Sequence, residues 1–255
     1  MFYHPSQQKI RNSKPIIFIH GTGMDHTVWT LPVRYFLRKK RDVLAIDLPG
    51  HGKNTDKPLS TISKISDYLY RFLDENSISE FCIVGHSMGS LIALEMASSQ
   101  PERVKAISMI GTAFPMQVND ALLESAKNNS QIAIDILTFM GYSYSSRIGG
   151  NKVPGMWMTE STKRLMQRSK KGVIYKDLKA CSTFSNGLDK AQKVTAKVQL
   201  ILGTNDFLTP KIKAHDLIKN FENPNVEEIK GSGHSLMMEE PNKVLDYLKD
   251  LFEKY

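Results

Sequence analysis

The sequence lacks the features that mark disulfide-rich, secreted or membrane-spanning chains. The 255 residues contain two cysteines, Cys82 and Cys181, with no C-x-x-C spacing, so we expect free thiols rather than a disulfide framework. Residues 1–14 are polar and contain Pro5, which does not fit the apolar core of a secretory signal. No stretch reaches the roughly 18 apolar residues that a membrane span needs. We therefore expect a soluble, cytoplasmic protein.

The excess of positive charge is spread along the chain. Lysine and arginine number 34 against 26 acidic residues, a formal net charge of +8 at pH 7, and the short basic runs lie at 38–41 and 163–171. A nucleic-acid surface typically combines a basic stripe with aromatic residues or a recognisable module, and neither is apparent. We expect no nucleic-acid partner, and the charge is compatible with a weak attraction of anionic small molecules.

Six short apolar runs bounded by turn residues are predicted to be β-strands. They lie at 15–20, 43–47, 81–84, 104–110, 198–202 and 226–229. They do not alternate apolar with polar residues, as expected where helices cover both faces of a parallel sheet. Segments with helical spacing follow at 62–73, 91–97, 212–221 and 244–252. The sequence therefore predicts an α/β fold, with a mostly parallel sheet covered by helices on both faces.

One long segment, residues 114–186, interrupts this alternation of strands and helices. It carries Gly141, Gly149, Gly150 and Gly155, and its helical pieces are rich in methionine and aromatic residues. A structureless loop of this length is uncommon inside a compact domain, so we expect the segment to contain helices of its own. We predict a core domain formed by 1–113 and 187–255, with 114–186 inserted as a helical lid.

The strongest chemical signal is the run Gly-His-Ser-Met-Gly at 85–89. It follows the predicted strand at 81–84 and precedes a helix-forming stretch, the context in which G-x-S-x-G forms a nucleophile elbow. The sharp turn strains the serine and requires small neighbours on both sides. A helix-capping serine would not explain the two glycines. Ser87 is therefore the predicted nucleophile.

A serine hydroxyl needs a histidine base, and the histidine needs an acid that orients it. His234 follows the predicted strand at 226–229 and precedes the last helix, while Asp206 follows the strand at 198–202. The chain order Ser, Asp, His matches one known arrangement of such triads. A turn role for Asp206 and a plain loop role for His234 stay open at this point.

These motifs, with His-Gly at 20–21 and Asp-Leu-Pro-Gly-His-Gly at 47–52, make the chain resemble the α/β-hydrolase family along nearly its whole length. The resemblance implies that Ser87, Asp206 and His234 form a catalytic triad. It also implies that the backbone N–H groups of Thr22 and Met88 form an oxyanion hole. No cofactor and no metal are expected. A serine in the elbow argues against the haloalkane dehalogenase and epoxide hydrolase branches, whose nucleophile is a carboxylate.

The chain departs from the family pattern in two places. Only 14 residues precede the predicted strand at 15–20, where family members commonly have a two-stranded start, so we expect the first strand to be short or absent. Several members place the triad acid after the strand that here ends at 110, but residues 111–113 are Gly-Thr-Ala. This absence of a carboxylate favours Asp206 as the acid.

The substrate pocket is predicted less sharply than the triad. We expect Gly21, His86, Met140 and Trp157 to line it. Flexible thioethers such as that of Met140 adapt to varied ligands, although for the lid residues a role in the lid core is equally open. The expected activity is that of a carboxylesterase acting on a small-molecule ester or related carbonyl substrate through an acyl-enzyme. A C–C bond hydrolase, a lactonase or a menaquinone-pathway lyase using the same triad remains an alternative, as does a ligand receptor with residual hydrolysis. The oligomeric state is left open.

Overall fold

A seven-stranded sheet forms the centre of the protein, in a computed structural model that describes residues 2–4, 14–150, 152 and 155–253. The strands are β1 Phe2–His4, β2 Ile16–Ile19, β3 Val43–Asp47, β4 Phe81–His86, β5 Val104–Ile110, β6 Lys197–Gly203 and β7 Asn225–Ile229. Their order across the sheet is β1-β3-β2-β4-β5-β6-β7. β1 runs antiparallel to β3, and the remaining neighbours pair in parallel. The predicted mostly parallel sheet is confirmed.

Helices cover both faces of this sheet. They are α1 Thr30–Arg38, α2 Ile62–Glu75, α3 Met88–Ser99, α4 Asp120–Lys127, α5 Gln131–Met140, α6 Tyr144–Arg147, α7 Met158–Gln167, α8 Val173–Thr183, α9 Gly187–Ala191, α10 His215–Lys219, α11 Leu236–Glu239 and α12 Pro241–Phe252. Successive strand residues point to opposite faces: Ile17 and Ile19 join the apolar cluster of α2 and α3, whereas Ile16 and Phe18 join that of α1 and α12. Both faces of the strands are buried, which explains their unalternating apolar runs.

The first strand is short, as expected: β1 pairs three residues with β3, Phe2 standing opposite Asp47. One element differs in detail from the sequence prediction. The helix predicted at 212–221 is instead a 3₁₀ turn, Lys211–Ala214, followed by α10. Such turns are frequent at the ends of helices, and here the turn comes directly after Pro210.

Residues 114–186, the crossover segment, lie between β5 and β6 and contain α4 to α8. Asn119 and Ser130 cap α4 and α5, since their side chains accept backbone N–H groups of the first helical turn. Apolar side chains from several of these helices pack together with Met24, which comes from the loop after β2; they include Leu122, Leu137, Met166 and Leu178. The segment thus shares this cluster with the core loop, and other residues of the segment, such as Cys181, belong to the cluster of α2 and α3. Among the helices of the described residues, none has both the length and the apolar character of a transmembrane helix.

Candidate active site

Ser87 occupies a strained turn between β4 and α3. Its φ and ψ are 54° and −119°, outside the regions that residues with a side chain normally adopt. The flanking glycines are required by close packing: a Cβ on Gly85 would lie 2.1 Å from the carbonyl oxygen of Gly89, and one on Gly89 would lie 2.3 Å from that of Ile19. The Ser87 N–H donates to the carbonyl of Ile110 at 2.9 Å. The turn is therefore fixed against both neighbouring strands.

Asp206 and His234 meet at the same edge of the sheet, on the loops after β6 and β7. His234 Nδ1 lies 2.8 Å from Asp206 Oδ2, and both side chains are buried. Burial by itself would raise the pKa of Asp206, but the charge and hydrogen bond of His234 and the hydrogen bonds of Thr209 lower it to about 2. The carboxyl is therefore ionised at neutral pH. Because a carboxylate only accepts hydrogen bonds, Nδ1 carries the ring proton.

Thr209 is a neighbour of this pair that the sequence analysis missed. Its Oγ1 donates to Asp206 Oδ2 at 2.6 Å and lies 3.0 Å from His234 Nδ1. The Asp206 Oδ1 atom accepts the backbone N–H groups of Leu208 and Thr209, at 2.9 and 2.8 Å. The available sequence signal was the local Asp-x-x-Thr spacing. In such a turn the aspartate carboxylate accepts backbone N–H groups two and three residues later in the chain. This turn holds the Asp206 carboxylate still.

One cavity of about 200 Å³ is lined by Ser87, His234 and Thr22. The crossover segment supplies much of its apolar wall, including Met116, Leu122, Leu137, Met140, Met166 and Leu178. Lys213 is the lysine among the lining residues, and no aspartate or glutamate of the described chain lines the cavity. Among the described residues no hydrogen bond joins Ser87 Oγ to His234, and such catalytic bonds often tighten only when substrate binds.

The two predicted oxyanion donors lie on either side of the elbow turn. Thr22 follows β2 on the loop 21–24 and lines the cavity, and Met88 begins α3 with its side chain fully buried. Within the described part of the chain, neither the Thr22 nor the Met88 backbone N–H donates a hydrogen bond to another protein group. Met88 is not among the residues that line the cavity, but its N–H stands at the positive end of the α3 dipole, so the oxyanion hole stays a prediction.

Two of the four predicted pocket residues, His86 and Met140, line the cavity. Gly21 does not; it packs beside His86, whose Nδ1 would lie 2.9 Å from a Cβ at position 21. Trp157 also lies outside the lining and is 69% exposed. It stands before the first residue of α7, and that helix presents Thr162 and Met166 to the cavity instead. The structure therefore brings half of this predicted set to the cavity.

The described residues hold one group of side chains whose ligand atoms could surround a metal ion, Asp25, His26 and Asp47. Asp47 Oδ1 accepts the backbone N–H of His26 at 2.8 Å and lies 2.9 Å from its ring Nδ1, while Oδ2 accepts the N–H of Lys53. Asp25 accepts the N–H of Thr27. These hydrogen bonds account for the carboxylates as anchors of the surrounding loops, and none of the three residues lines the cavity.

The fold and the site together agree with a known family. A family model described as alpha/beta hydrolase fold matches residues 14–241, and the chain therefore belongs to the α/β-hydrolase family. Within that family it is an enzyme of the serine hydrolase type, as the sequence predicted.

The chain is similar in sequence or structure to several known proteins. The chain is 24% identical to a putative esterase/lipase 2 of Mycoplasma pneumoniae, over 95% of this chain and 90% of that protein. It is 32% identical to the dihydrolipoyllysine-residue acetyltransferase component of the acetoin cleaving system of Cupriavidus necator, a match that spans 43% of this chain but only 29% of that protein. An alpha/beta hydrolase enzyme from a Medee basin deep-sea metagenome library has a similar structure, with a TM-score of 0.85 at 22% identity, covering 100% of this chain and 94% of that chain. At this identity the structural likeness shows the fold.

Proposed function

We propose that the protein is a carboxylesterase that cleaves small or medium esters through an acyl-enzyme on Ser87. The observation that carries this proposal is the meeting of the strained Ser87 turn and the Asp206–His234 pair at one cavity. Because Nδ1 of His234 is bonded to Asp206, Nε2 is the ring nitrogen left to exchange a proton with substrate and nucleophile.

In the proposed reaction the Ser87 hydroxyl attacks the ester carbonyl while His234 Nε2 takes its proton. The Asp206 carboxylate stabilises the resulting imidazolium. When the tetrahedral intermediate collapses, the C–O bond to the alcohol breaks and His234 returns the proton to the leaving oxygen. Water then attacks the acyl-enzyme by the same sequence, and the carboxylic acid is released with Ser87 restored.

The backbone N–H groups of Thr22 and Met88 are the proposed donors to the oxygen that becomes negative in the transition state. Both are without a protein acceptor in the described residues. Such donors act where charge develops, and the loss of one typically raises the barrier by about 3 kcal/mol. In this proposal the two amides stabilise the transition state rather than the bound substrate.

The crossover segment is proposed to act as the lid predicted at 114–186, with 1–113 and 187–255 as the core. Its methionines and leucines form an apolar wall of the cavity that Ser87 also lines, which suits an acyl chain, and flexible thioethers adapt to chains of different shape. A cavity of about 200 Å³ favours short or medium acyl groups.

Lys213 supports a second candidate, a hydrolase of carboxylate-bearing lactones or C–C substrates that uses the same triad. It lines a cavity whose described wall has no acidic residue, and a lysine in such a wall favours an anionic substrate group. A panel that pairs neutral p-nitrophenyl esters with lactones and ring-cleaved dienoates separates the two. Turnover of the acidic compounds alone would favour the second candidate.

The test of the esterase proposal is Ser87→Ala, assayed with p-nitrophenyl esters and a fluorophosphonate probe. We expect kcat to fall by roughly a million-fold and labelling to disappear. Ser99→Ala is the matched control, because Ser99 lies at the other end of α3, does not line the cavity, and donates to the backbone carbonyl of Glu95; it should keep both properties. A Ser87→Ala protein that is still labelled and turns over esters would refute the mechanism.

A further inference from the structure

The loop that carries Thr22 is bonded directly to the crossover segment. The N–H of Gly23 donates to Asp177 Oδ2 at 2.9 Å, and its carbonyl accepts from Ser169 Oγ at 3.0 Å. Asp177 lies in α8, and Ser169 follows α7. A Cβ at position 23 would lie 3.1 Å from Ile174, so the backbone approaches α8 closely. Both polar groups of the peptide backbone at Gly23 are thus held by residues far away in sequence.

The Asp177 carboxylate is buried and paired. The Oδ2 atom that accepts from Gly23 also lies 2.8 Å from His51 Nε2, with both side chains 2% exposed. His51 Nδ1 lies 3.2 Å from the carbonyl of Pro49. Burial would lower the pKa of His51, but the charge and hydrogen bond of Asp177 raise it. Each ring nitrogen of His51 thus faces an oxygen acceptor, an arrangement that favours the doubly protonated ring and a charged pair with Asp177.

The other end of the same loop is fixed by a neutral histidine. His20 Nε2 accepts the N–H of Leu48 at 3.2 Å, so its Nδ1 carries the proton and donates to the carbonyl of Gly21 at 2.9 Å. Burial and the adjacent His51, whose ring centroid lies 4.7 Å away, lower the pKa of His20 to about 3. The loop is therefore held at Gly21 and at Gly23, and the Thr22 N–H between them has no protein acceptor among the described residues.

We infer that Asp177 is a positioning residue for the reaction: through Gly23 and its ion pair with His51, it fixes the direction of the Thr22 N–H. This inference rests on the proposed function, since it takes the Thr22 amide as an oxyanion donor. A buried carboxylate is unfavourable unless it is paired and hydrogen-bonded. Asp177 meets this condition through its bonds to Gly23 and His51, which belong to the core rather than to its own helix. The crossover segment thereby helps to position a group that stabilises the transition state.

The experiment compares Asp177→Asn with the wild type on a p-nitrophenyl ester. The variant keeps the shape of the side chain and removes its charge. We expect kcat to fall by about 10- to 100-fold, because a small misplacement of a catalytic group has effects of this size. KM should change little, since the Thr22 donor acts in the transition state. Affinity for an alkyl boronic acid, which forms a tetrahedral anion on the serine, should fall by a similar factor.

Glu95→Gln is the matched control. Glu95 is also a buried, paired carboxylate, 2.8 Å from Lys190, but it lies in α3 away from the loop 21–24 and does not line the cavity. Loss of the Glu95 charge should lower the free energy of unfolding without lowering kcat. Hydrogen exchange of the 20–24 segment gives a readout independent of activity, and it should accelerate in Asp177→Asn but not in Glu95→Gln.

A folded Asp177→Asn variant with wild-type kcat, or with a change in KM alone, would overturn the inference. If that variant does not fold, His51→Gln decides, because it removes the charged partner of Asp177 while its amide can still donate to Oδ2: a lower kcat at unchanged KM supports the inference, and an unchanged kcat overturns it. If the wild type hydrolyses no ester, the proposed function fails, and hydrogen exchange alone then decides whether Asp177 holds the loop. If hydrogen exchange of the 20–24 segment is unaltered in Asp177→Asn, the claim that Asp177 holds this loop is overturned as well.

Discussion

At the scale of single residues, the charge of Asp206 decides how the site works. The charge of His234 and four hydrogen bonds, one of them from His234 itself, keep this buried carboxyl ionised. Asp206→Asn keeps the shape but offers an amide, which favours the opposite tautomer of the imidazole. We expect kcat on p-nitrophenyl esters to fall by about 10⁴-fold. Steady-state kinetics measure the change, with Asp216→Asn, an exposed aspartate, as the variant that should behave like wild type. Equal activity in both variants would contradict the role of Asp206.

Thr209 is expected to act on the same carboxylate through a single hydroxyl. Thr209→Val removes the hydrogen bond to Asp206 Oδ2 while keeping the branched shape, so the pKa of Asp206 should rise from about 2. Thr209→Ser retains the hydroxyl and serves as the control. NMR titration of the Asp206 carboxyl carbon measures the shift directly. A pKa that stays the same in Thr209→Val would show that this hydroxyl does not stabilise the anion.

At the scale of elements, the strands of the sheet could be predicted from the sequence because burial on both faces makes them continuous apolar runs. β3 and β5 have the predicted bounds, 43–47 and 104–110, since turn residues end each apolar run. α1 was missed although Pro32, Val33 and Phe36 are buried at helical spacing, because proline is typical of turns; Pro32 lies in the first turn of the helix, where proline is tolerated.

A buried carboxylate also joins α11 to the crossover segment. Glu239 Oε1 accepts the N–H of Gly233, next to His234, while Oε2 accepts from the N–H of Ser143 and the hydroxyl of Ser146. Glu239→Gln must place an amide NH₂ against one of these donors. We expect the free energy of unfolding to fall by about 1 to 3 kcal/mol.

Urea unfolding measures this loss of stability, with Glu222→Gln at an exposed position as the control. A Glu239→Gln protein as stable as wild type would mean that the loop before His234 is held by other contacts. A lower kcat in the same variant would extend the result to the position of the imidazole, because Gly233 and His234 are adjacent.

At the scale of the whole molecule, the sequence predicted the parts of the site that follow strands and missed those that depend on packing. Ser87, Asp206 and His234 each follow a predicted strand, so topology alone brings them to one edge of the sheet. Asp177 and Glu239 lie in helices whose sequences carry no recognisable motif. Asp177 bonds Gly23, and Glu239 joins Ser143 and Ser146, across separations of more than ninety residues that no local pattern marks. Trp157 was expected in the pocket for its chemistry, but the position of α7 leaves it exposed.

The buried histidines predict how stability depends on pH. Burial, and then the neighbouring His234, lower the pKa of His86 from 6.5 to about 3, and burial has the same effect on His20. Between pH 6.5 and 3 the unfolded chain therefore binds protons that the folded chain does not, and stability falls as the pH falls, by about 1.4 kcal/mol per pH unit for each histidine. The raised pKa of His51 has the opposite effect. The stability that protonated His51 contributes is complete below pH 6.5 and is lost as the pH rises through the pKa of His51 in the folded protein.

His86→Gln should remove the part of the acid dependence that belongs to one of these histidines. The glutamine amide retains a donor for the carbonyl of His234, which His86 Nε2 contacts at 2.9 Å, but it does not titrate. Urea unfolding at pH 6.5, 5.5 and 4.5 should give a slope about 1.4 kcal/mol per pH unit shallower than in wild type. His215→Gln, at an exposed histidine, should leave the slope unchanged. The same slope in His86→Gln and wild type would mean that His86 accepts a proton in the folded protein, in spite of its burial against His234.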